Sequence, residues 1–308
     1  MATAPWQPDA GAQARLAGLI ETYRHAARRT LEPVVQDYYP AMPRERKDEY
    51  RKMLELSTKM MVVGHACAEI LGQPFDDRLQ RISGLFGGCC FLADSFIDDF
   101  GEAATEEYLD RFGRLLREGW FEIRTDRERL FYIVIARLFA ERDILDPVLR
   151  QAITRLYEAQ AQDVALRRQA SADSPLGPRE RLMLLKRCAR NRSGHAIIVL
   201  ASLLAPRLTL AELAPVFAAG ALIMYIDDHG DCWSDLAERR LTFMNQVRRP
   251  ERALRRLFRT YIERVFSGLP QGQGRDLMIA FLIRYYVTRL AKHRQERRRG
   301  GFAWAVYE

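Results

Sequence analysis

The chain has 308 residues, 48% of them hydrophobic, and a formal charge of +8, enough apolar material for one large core or two small ones. Its five cysteines form no CxxC pair and are odd in number, which excludes a disulfide framework and reads as reduced, mostly buried thiols. Despite the net charge, no basic stripe interleaved with aromatics and no recognisable module occurs, so nucleic acid is excluded as a partner.

Met1 to Gly11 is short, polar and proline-containing, unlike a secretory or transit signal, and a cytoplasmic protein is expected. Helical periodicity then runs almost throughout, broken at Pro40-Pro43, Gln73-Pro74, Ser171-Pro178, Pro206 and Gly268-Gly274. Alternating strand patterns bounded by Asn-Gly or Asp-Gly turns are missing. The prediction is an all-α bundle of about ten helices in one domain spanning residues 1–308. No fixed-period repeat occurs, which excludes a solenoid. The longest apolar runs, Ala196-Ala205 and Leu213-Ile226, are too short for a membrane span.

Two acidic clusters about 130 residues apart carry the chemistry: Asp94-Ser-Phe-Ile-Asp98-Asp99-Phe-Gly-Glu102 and Asp227-Asp228-His-Gly-Asp231-Cys-Trp-Ser-Asp235. Each ends a long apolar, helix-compatible run, Ile82 to Ile97 and Phe217 to Ile226. Residues four apart share a helix face, so Asp94, Asp98 and Glu102 form one stripe and Asp227, Asp231 and Asp235 another. Asp228 lies about 100° away from the second stripe. Like charges on a face repel unless cations or solvent neutralise them. Two such stripes suit hard divalent cations, magnesium above all, holding a phosphorylated substrate. His229 reads as a spacer. Without Glu-x-x-His a di-iron bundle is disfavoured, and there is no P-loop, GxGxxG or nucleophile elbow.

These motifs resemble those of the class I isoprenoid synthases, the all-α family of trans-prenyltransferases and terpene cyclases. Asp98-Asp99-Phe-Gly-Glu102 fits the DDxxE form of the first metal motif, and Asp94 adds the DxxxDD arrangement of squalene and phytoene synthases. Ile223 to Asp235 resembles the second aspartate-rich motif; it also reads against the cyclase triad (N/D)DxxSxxxE, with Asp231 where Ser or Thr is usual. The likeness spans roughly Gly84 to Thr242. It implies a helical bundle around a central active-site cavity, three Mg2+ ions (Mn2+ as a substitute) and a prenyl diphosphate substrate. Asp94, Asp98, Asp99, Glu102, Asp227, Asp231 and Asp235 are then the metal ligands. A homodimer is compatible with this reading.

The resemblance also assigns cations to the diphosphate. Arg192 is the first choice, within Lys186-Arg-Cys-Ala-Arg190-Asn-Arg192-Ser-Gly194-His; Arg187 is second and Arg181, where cyclases place a sensing arginine, third. Guanidinium groups suit a leaving pyrophosphate. Arg239 and Arg240 follow the second motif, and Arg284-Tyr285 resembles the late Arg-Tyr pair of cyclases. Gly194 reads either as a helix break facing substrate or as a close helix contact. Phe91 and Tyr225, one or two turns before the motifs, are placed to line an aromatic cavity, and Gly87-Gly88 would deepen it.

Elongating synthases carry a Gly-Lys-Arg before the first motif and an Arg-Arg-Gly after it. Here the first motif is followed by the acidic Ala-Ala-Thr-Glu-Glu-Tyr-Leu-Asp110. The resemblance therefore implies a terpene synthase that ionises one C15 or C20 diphosphate and rearranges the cation. The alternative is a prenyltransferase, either chain-elongating or head-to-head. A silent modulatory subunit, a third class, usually lacks one or both motifs, and both are intact here.

Overall fold

The computed structural model describes residues 9–99, 102–141, 147–169, 177–205, 208–238, 240–269 and 271–300. Among them are twelve α-helices, one short 3-10 turn and no strand, so the fold is all-α. The chain packs into two compact units. One comprises Ala10–Thr154 with Leu200–Leu208, and the other chiefly Arg155–Val199 with Thr209–Glu308. The two acidic motifs fall in different units.

The first unit contains α1 (Ala10–Tyr38), α2 (Met42–Glu45), α3 (Lys47–Ile70), α4 (Asp77–Asp99), α5 (Glu102–Glu118) and α6 (Asp126–Ala140). Its centre is the packing of α3 on α4, with α1 laid on both and α6 against α4 and α1. Small residues bring these backbones together. A Cβ added at Gly87 would lie 2.5 Å from Ser57 Cα, and one at Gly88 would lie 2.9 Å from a Leu31 methyl. The space expected at Gly87-Gly88 for a deeper cavity is therefore filled by neighbouring helices. Phe96, Tyr108, Phe121 and Phe131 interlock α4, α5 and α6, with ring centres of Phe96 and Phe131 5.6 Å apart.

A buried ion pair crosses this cluster. Arg111 donates to Glu128 at 2.5 Å and to the Glu122 carbonyl at 2.7 Å. Glu128 also accepts from the Arg124 amide, and Thr125 caps α6 by accepting from the Glu128 amide. Both ends of the guanidinium and both carboxylate oxygens are thus engaged, which offsets most of the cost of burying the pair.

The second unit contains the C-terminal part of α7 (Pro147–Gln169), most of α8 (Pro178–Leu204), and then α9 (Leu210–Gly230), α10 (Cys232–Ala237), α11 (Pro250–Arg264) and α12 (Gln273–Gly300). Helix α9 is its axis. A Thr209–Glu212 capping box starts it, and it is apolar on nearly all sides, with Ala218, Ala219, Ala221, Leu222, Tyr225 and Ile226 buried. Helices α12, α11 and α10 pack on it. Helix α8 crosses it where Gly194 meets Phe217 and Gly220 meets the Ser193 backbone. Helix α8 runs unbroken through Gly194, so that glycine serves close packing and does not interrupt the helix.

The crossing yields the first prediction. A Cβ at Gly220 would stand 2.7 Å from the Ser193 carbonyl carbon, which cannot yield without parting the helices. Gly220→Ala should lower stability by about 1–3 kcal/mol. Gly18→Ala, at an exposed position of α1 with nothing within 4 Å of the added atom, should raise it by about 0.5–1 kcal/mol. Melting temperatures that move the same way would contradict the packing.

A second prediction concerns pH. His65 is held by the Tyr23 hydroxyl at 2.5 Å, stacks on Phe75 at 4.8 Å and lies beside the Arg15–Glu69 pair. Burial, chiefly, pushes it below its ordinary value of 6.5, and the Arg15 charge adds to this against the pull of Glu69. The unfolded chain then binds the proton more readily. Stability from this group is complete above pH 6.5 and declines as pH falls from there toward the folded value. His65→Gln should flatten that part of the stability–pH curve; an unchanged slope between pH 6.5 and 5 would refute the assignment.

Candidate functional site

The second acidic motif sits at the C-terminal end of α9, where unpaired carbonyls already make the helix end negative. Two carboxylates there, Asp227 and Asp231, take cations from another helix. Helix α12 supplies them from a stripe at helical spacing, Tyr285, Arg289 and Lys292. Arg289 donates through Nη2 to both Asp227 Oδ1 and Asp231 Oδ2, Lys292 donates to Asp231 Oδ1, and the Tyr285 hydroxyl donates to Asp227 Oδ1. The same guanidinium lies 3.5 Å from the Asp227 carbonyl and 5.7 Å from the Tyr285 ring centre. Lys292 continues to Glu296 at 3.4 Å.

Gly230 permits this approach. A Cβ there would lie 2.6 Å from Arg289 Nε, so any other residue would push the guanidinium away. Burial raises the Tyr285 hydroxyl well above its ordinary value, and the Asp227 charge adds to it, so the phenol stays a donor. His229 turns inward, fully buried and stacked 4.1 Å from His293, which bonds its carbonyl at 2.9 Å. Burial and the neighbouring His293 hold His229 neutral, pushed down to about 3.

Asp228 takes the other side of α9, the 100° offset made real. Burial raises its carboxyl well above the carboxylate range; the Arg192 charge opposes this, and Asp235, Asp227 and Asp163 reinforce it. Arg192 is bound to Asp163 at 2.8 Å, with both side chains largely covered. Burial first, and then the neighbouring carboxylates, make the charged form of Asp228 harder to hold than that of an ordinary aspartate.

The expected ligands separate accordingly. Asp227 and Asp231 converge on one cation. Helix α9 ends at Gly230, however, and Asp231 lies between it and α10, so no single helix carries Asp227, Asp231 and Asp235. Asp235 lies in the first turn of the next helix, and its charge acts on Asp228 and Cys232. In the first motif Asp94 is exposed on α4; the side chains of Asp98, Asp99 and Glu102 lie outside the described residues. Among the arginines, Arg181 is half-buried near the start of α8, Arg187 is exposed, and Arg284 points outward from α12. Arg240 pairs with Glu238 at 2.6 Å, and Arg239 lies outside the described residues. Phe91 is half-buried on α4. Tyr225 is fully buried, donates to the Lys186 carbonyl at 3.0 Å and lines a pocket with it.

Arg289 and Lys292 were not singled out in the sequence, although Tyr285, Arg289 and Lys292 stand at i, i+4 and i+7 on one face. Among the described residues no three His, Cys, Asp or Glu side chains gather at a point that could hold a metal. Asp227 and Asp231 do converge as a pair of hard oxygen donors. That matches what magnesium takes from protein, one or two carboxylates completed by water and phosphate. Comparison with protein-family models, curated proteins and solved structures finds no match to this chain. No helix among the described residues is long and apolar enough to cross a membrane.

Removing the guanidinium tests this arrangement. Arg289→Met should lower stability by about 1–3 kcal/mol, because it strands two partly covered carboxylates at a negative helix end. Adding Asp231→Asn should recover part of that loss in denaturant titrations, a coupling of about 0.5–3 kcal/mol. Strict additivity of the two changes would mean that the contact contributes nothing.

Proposed function

We propose that the chain is a class I terpene synthase, binding an allylic prenyl diphosphate of C15 or C20 and rearranging the carbocation formed when diphosphate leaves. The observation that carries the reading is the convergence of Asp227 and Asp231 on the Arg289 guanidinium at the end of α9, with Lys292 and Tyr285 bound beside it. Asp227 and Asp231 would hold one divalent ion, and Asp98, Asp99 and Glu102 would serve on the first motif. Magnesium, when bound, supplies positive charge to the diphosphate oxygens.

The side chains contribute the rest. Heterolysis moves the C–O electron pair onto the diphosphate, so groups whose attraction grows with that charge accelerate the step. Arg192, Arg289 and Lys292 lie beside the motif but are paired with Asp163, Asp227 and Asp231, so each would serve the diphosphate only by exchanging its carboxylate for it. Tyr285 fixes the Asp227 carboxylate by donating to one oxygen and leaves the other available. Exclusion of water is needed for the carbocation to rearrange before capture. The runner-up is transfer between two prenyl diphosphates, which needs a second anion site.

Incubation with geranyl, farnesyl and geranylgeranyl diphosphates, with and without the homoallylic C5 diphosphate, should yield hydrocarbons or alcohols of unchanged carbon number. Asp227→Asn, or Asp98→Asn on the first motif, should lose about 2–4 kcal/mol of transition-state stabilisation. Turnover that persists fully in EDTA, or a longer diphosphate formed from the C5 partner, would overturn the reading.

A further inference from the structure

Helix α8 carries a second charged feature that the carboxylate chemistry leaves unused. Met183, Lys186, Arg187 and Arg190 recur at helical spacing on one face, and with Leu184 and Tyr225 they line a pocket of about 310 Å³. That volume is at the small end of ligand sites. Its lining holds three cations and no acid. Like charges three and four residues apart repel on a helix, yet among the described residues none of these three is in an ion pair. Their neighbours are neutral: Lys186 Nζ lies 5.7 Å from the Phe243 ring centre, and the Arg190 guanidinium lies 5.8 Å from that of Phe217 and 3.4 Å from the Asn191 amide oxygen.

The apolar part is equally specific. Met183 is 62% exposed, unusual for so large an apolar side chain, and stands one turn before Lys186. The floor is rigid, because Tyr225 is wholly buried and its hydroxyl is tied to the Lys186 carbonyl at 3.0 Å. Phe243 and Tyr261 pack on the Tyr225 ring at 5.7 and 6.4 Å. Elsewhere in this unit Arg192 and Arg289 are spent on carboxylates, whereas here a cationic cluster stands open beside an apolar wall.

We propose that this pocket is a metal-independent site for a single-chain phosphorylated amphiphile. Its phosphate or diphosphate would lie on Lys186, Arg187 and Arg190, and its hydrocarbon tail against Met183 and Leu184, above the buried Tyr225 ring. The site does not use Asp227 or Asp231 and stands whether or not the synthase reading does. If both stand, the chain has a second phosphate site despite lacking the basic motifs of elongating synthases.

Calorimetry in EDTA at low salt tests this with farnesyl monophosphate, inorganic pyrophosphate and farnesol as probes. Farnesyl monophosphate should bind the full chain, and pyrophosphate and farnesol should each bind at least tenfold more weakly. Lys186→Gln/Arg190→Gln should weaken farnesyl monophosphate at least tenfold with an unchanged melting temperature. Met183→Glu, a change at an exposed position, should act in the same direction. Asp227→Asn/Asp231→Asn should leave this binding intact, which separates the site from the carboxylate cluster even if no prenyl diphosphate is turned over. The proposal is overturned by absence of binding in EDTA, by equal affinity in the charge variant, by farnesol binding as tightly, or by capture on phosphatidic acid vesicles without binding of the soluble probe.

Discussion

Concentration of negative charge at one helix end governs the second unit. Helix α9 is apolar almost all round and therefore buried, yet it ends in Asp227, Asp228 and Asp231, where its own carbonyls are already negative. A carboxylate in such a place must find a cation, keep a proton or unfold the helix end. Two of these solutions occur side by side. Asp227 and Asp231 take Arg289 and Lys292; at Asp228 burial and the neighbouring carboxylates shift the balance toward the protonated form, against the Arg192 charge. The long α12 is thereby held to α9 by charge as well as by packing, and Gly230 is required because a larger residue would occupy the path of the guanidinium.

Much of this was legible in the sequence. Helical periodicity, missing strand patterns and the proline and glycine breaks specify an all-α chain; the helix ends at Tyr38, Ile70, Gln169, Leu204 and Arg264 fall at those breaks, and those at Asp99, Glu118, Ala140 and Ala237 do not. The two faces of the second motif also follow from 100° per residue. What periodicity alone does not supply is where a helix stops. The reading of Asp227, Asp231 and Asp235 as one stripe presumes an unbroken helix, whereas α9 ends at Gly230 and α10 starts afresh at Cys232. The partners on α12 were missed for a related reason. Attention to Arg284-Tyr285 as a dipeptide separates two residues that point in different directions, Arg284 to solvent and Tyr285 to Asp227. The cations that matter lie one and two turns further on, in phase with Tyr285.

Glycines illustrate a second limit. Gly87, Gly88, Gly194 and Gly220 all admit a functional reading as space for a ligand, and all four are filled by a neighbouring helix. A missing side chain marks close approach, but sequence does not say whether a backbone, a side chain or a substrate approaches. Two of these contacts, at Ser57 and Ser193, are to backbone, where two helices meet with nothing between them. Such contacts hold α3 to α4 in one unit and α8 to α9 in the other.

The arginines divide by the same logic of counter-charge. A guanidinium that stabilises the fold is found with its carboxylate, as Arg111 is with Glu128 and Arg289 is with Asp227. One kept for an anionic ligand should stand beside other cations without an acid, since an internal partner would have to be displaced before binding. Lys186, Arg187 and Arg190 meet that description, and Arg192, two residues further along the same helix, does not. Between Arg190 and Arg192 the helix turns by about 200°, from an open cationic pocket to a covered ion pair. Helix α8 therefore presents two electrostatic environments to opposite sides. On its pocket side the charge is surplus positive. On the other side the Arg192 guanidinium is held by Asp163, 2.8 Å away.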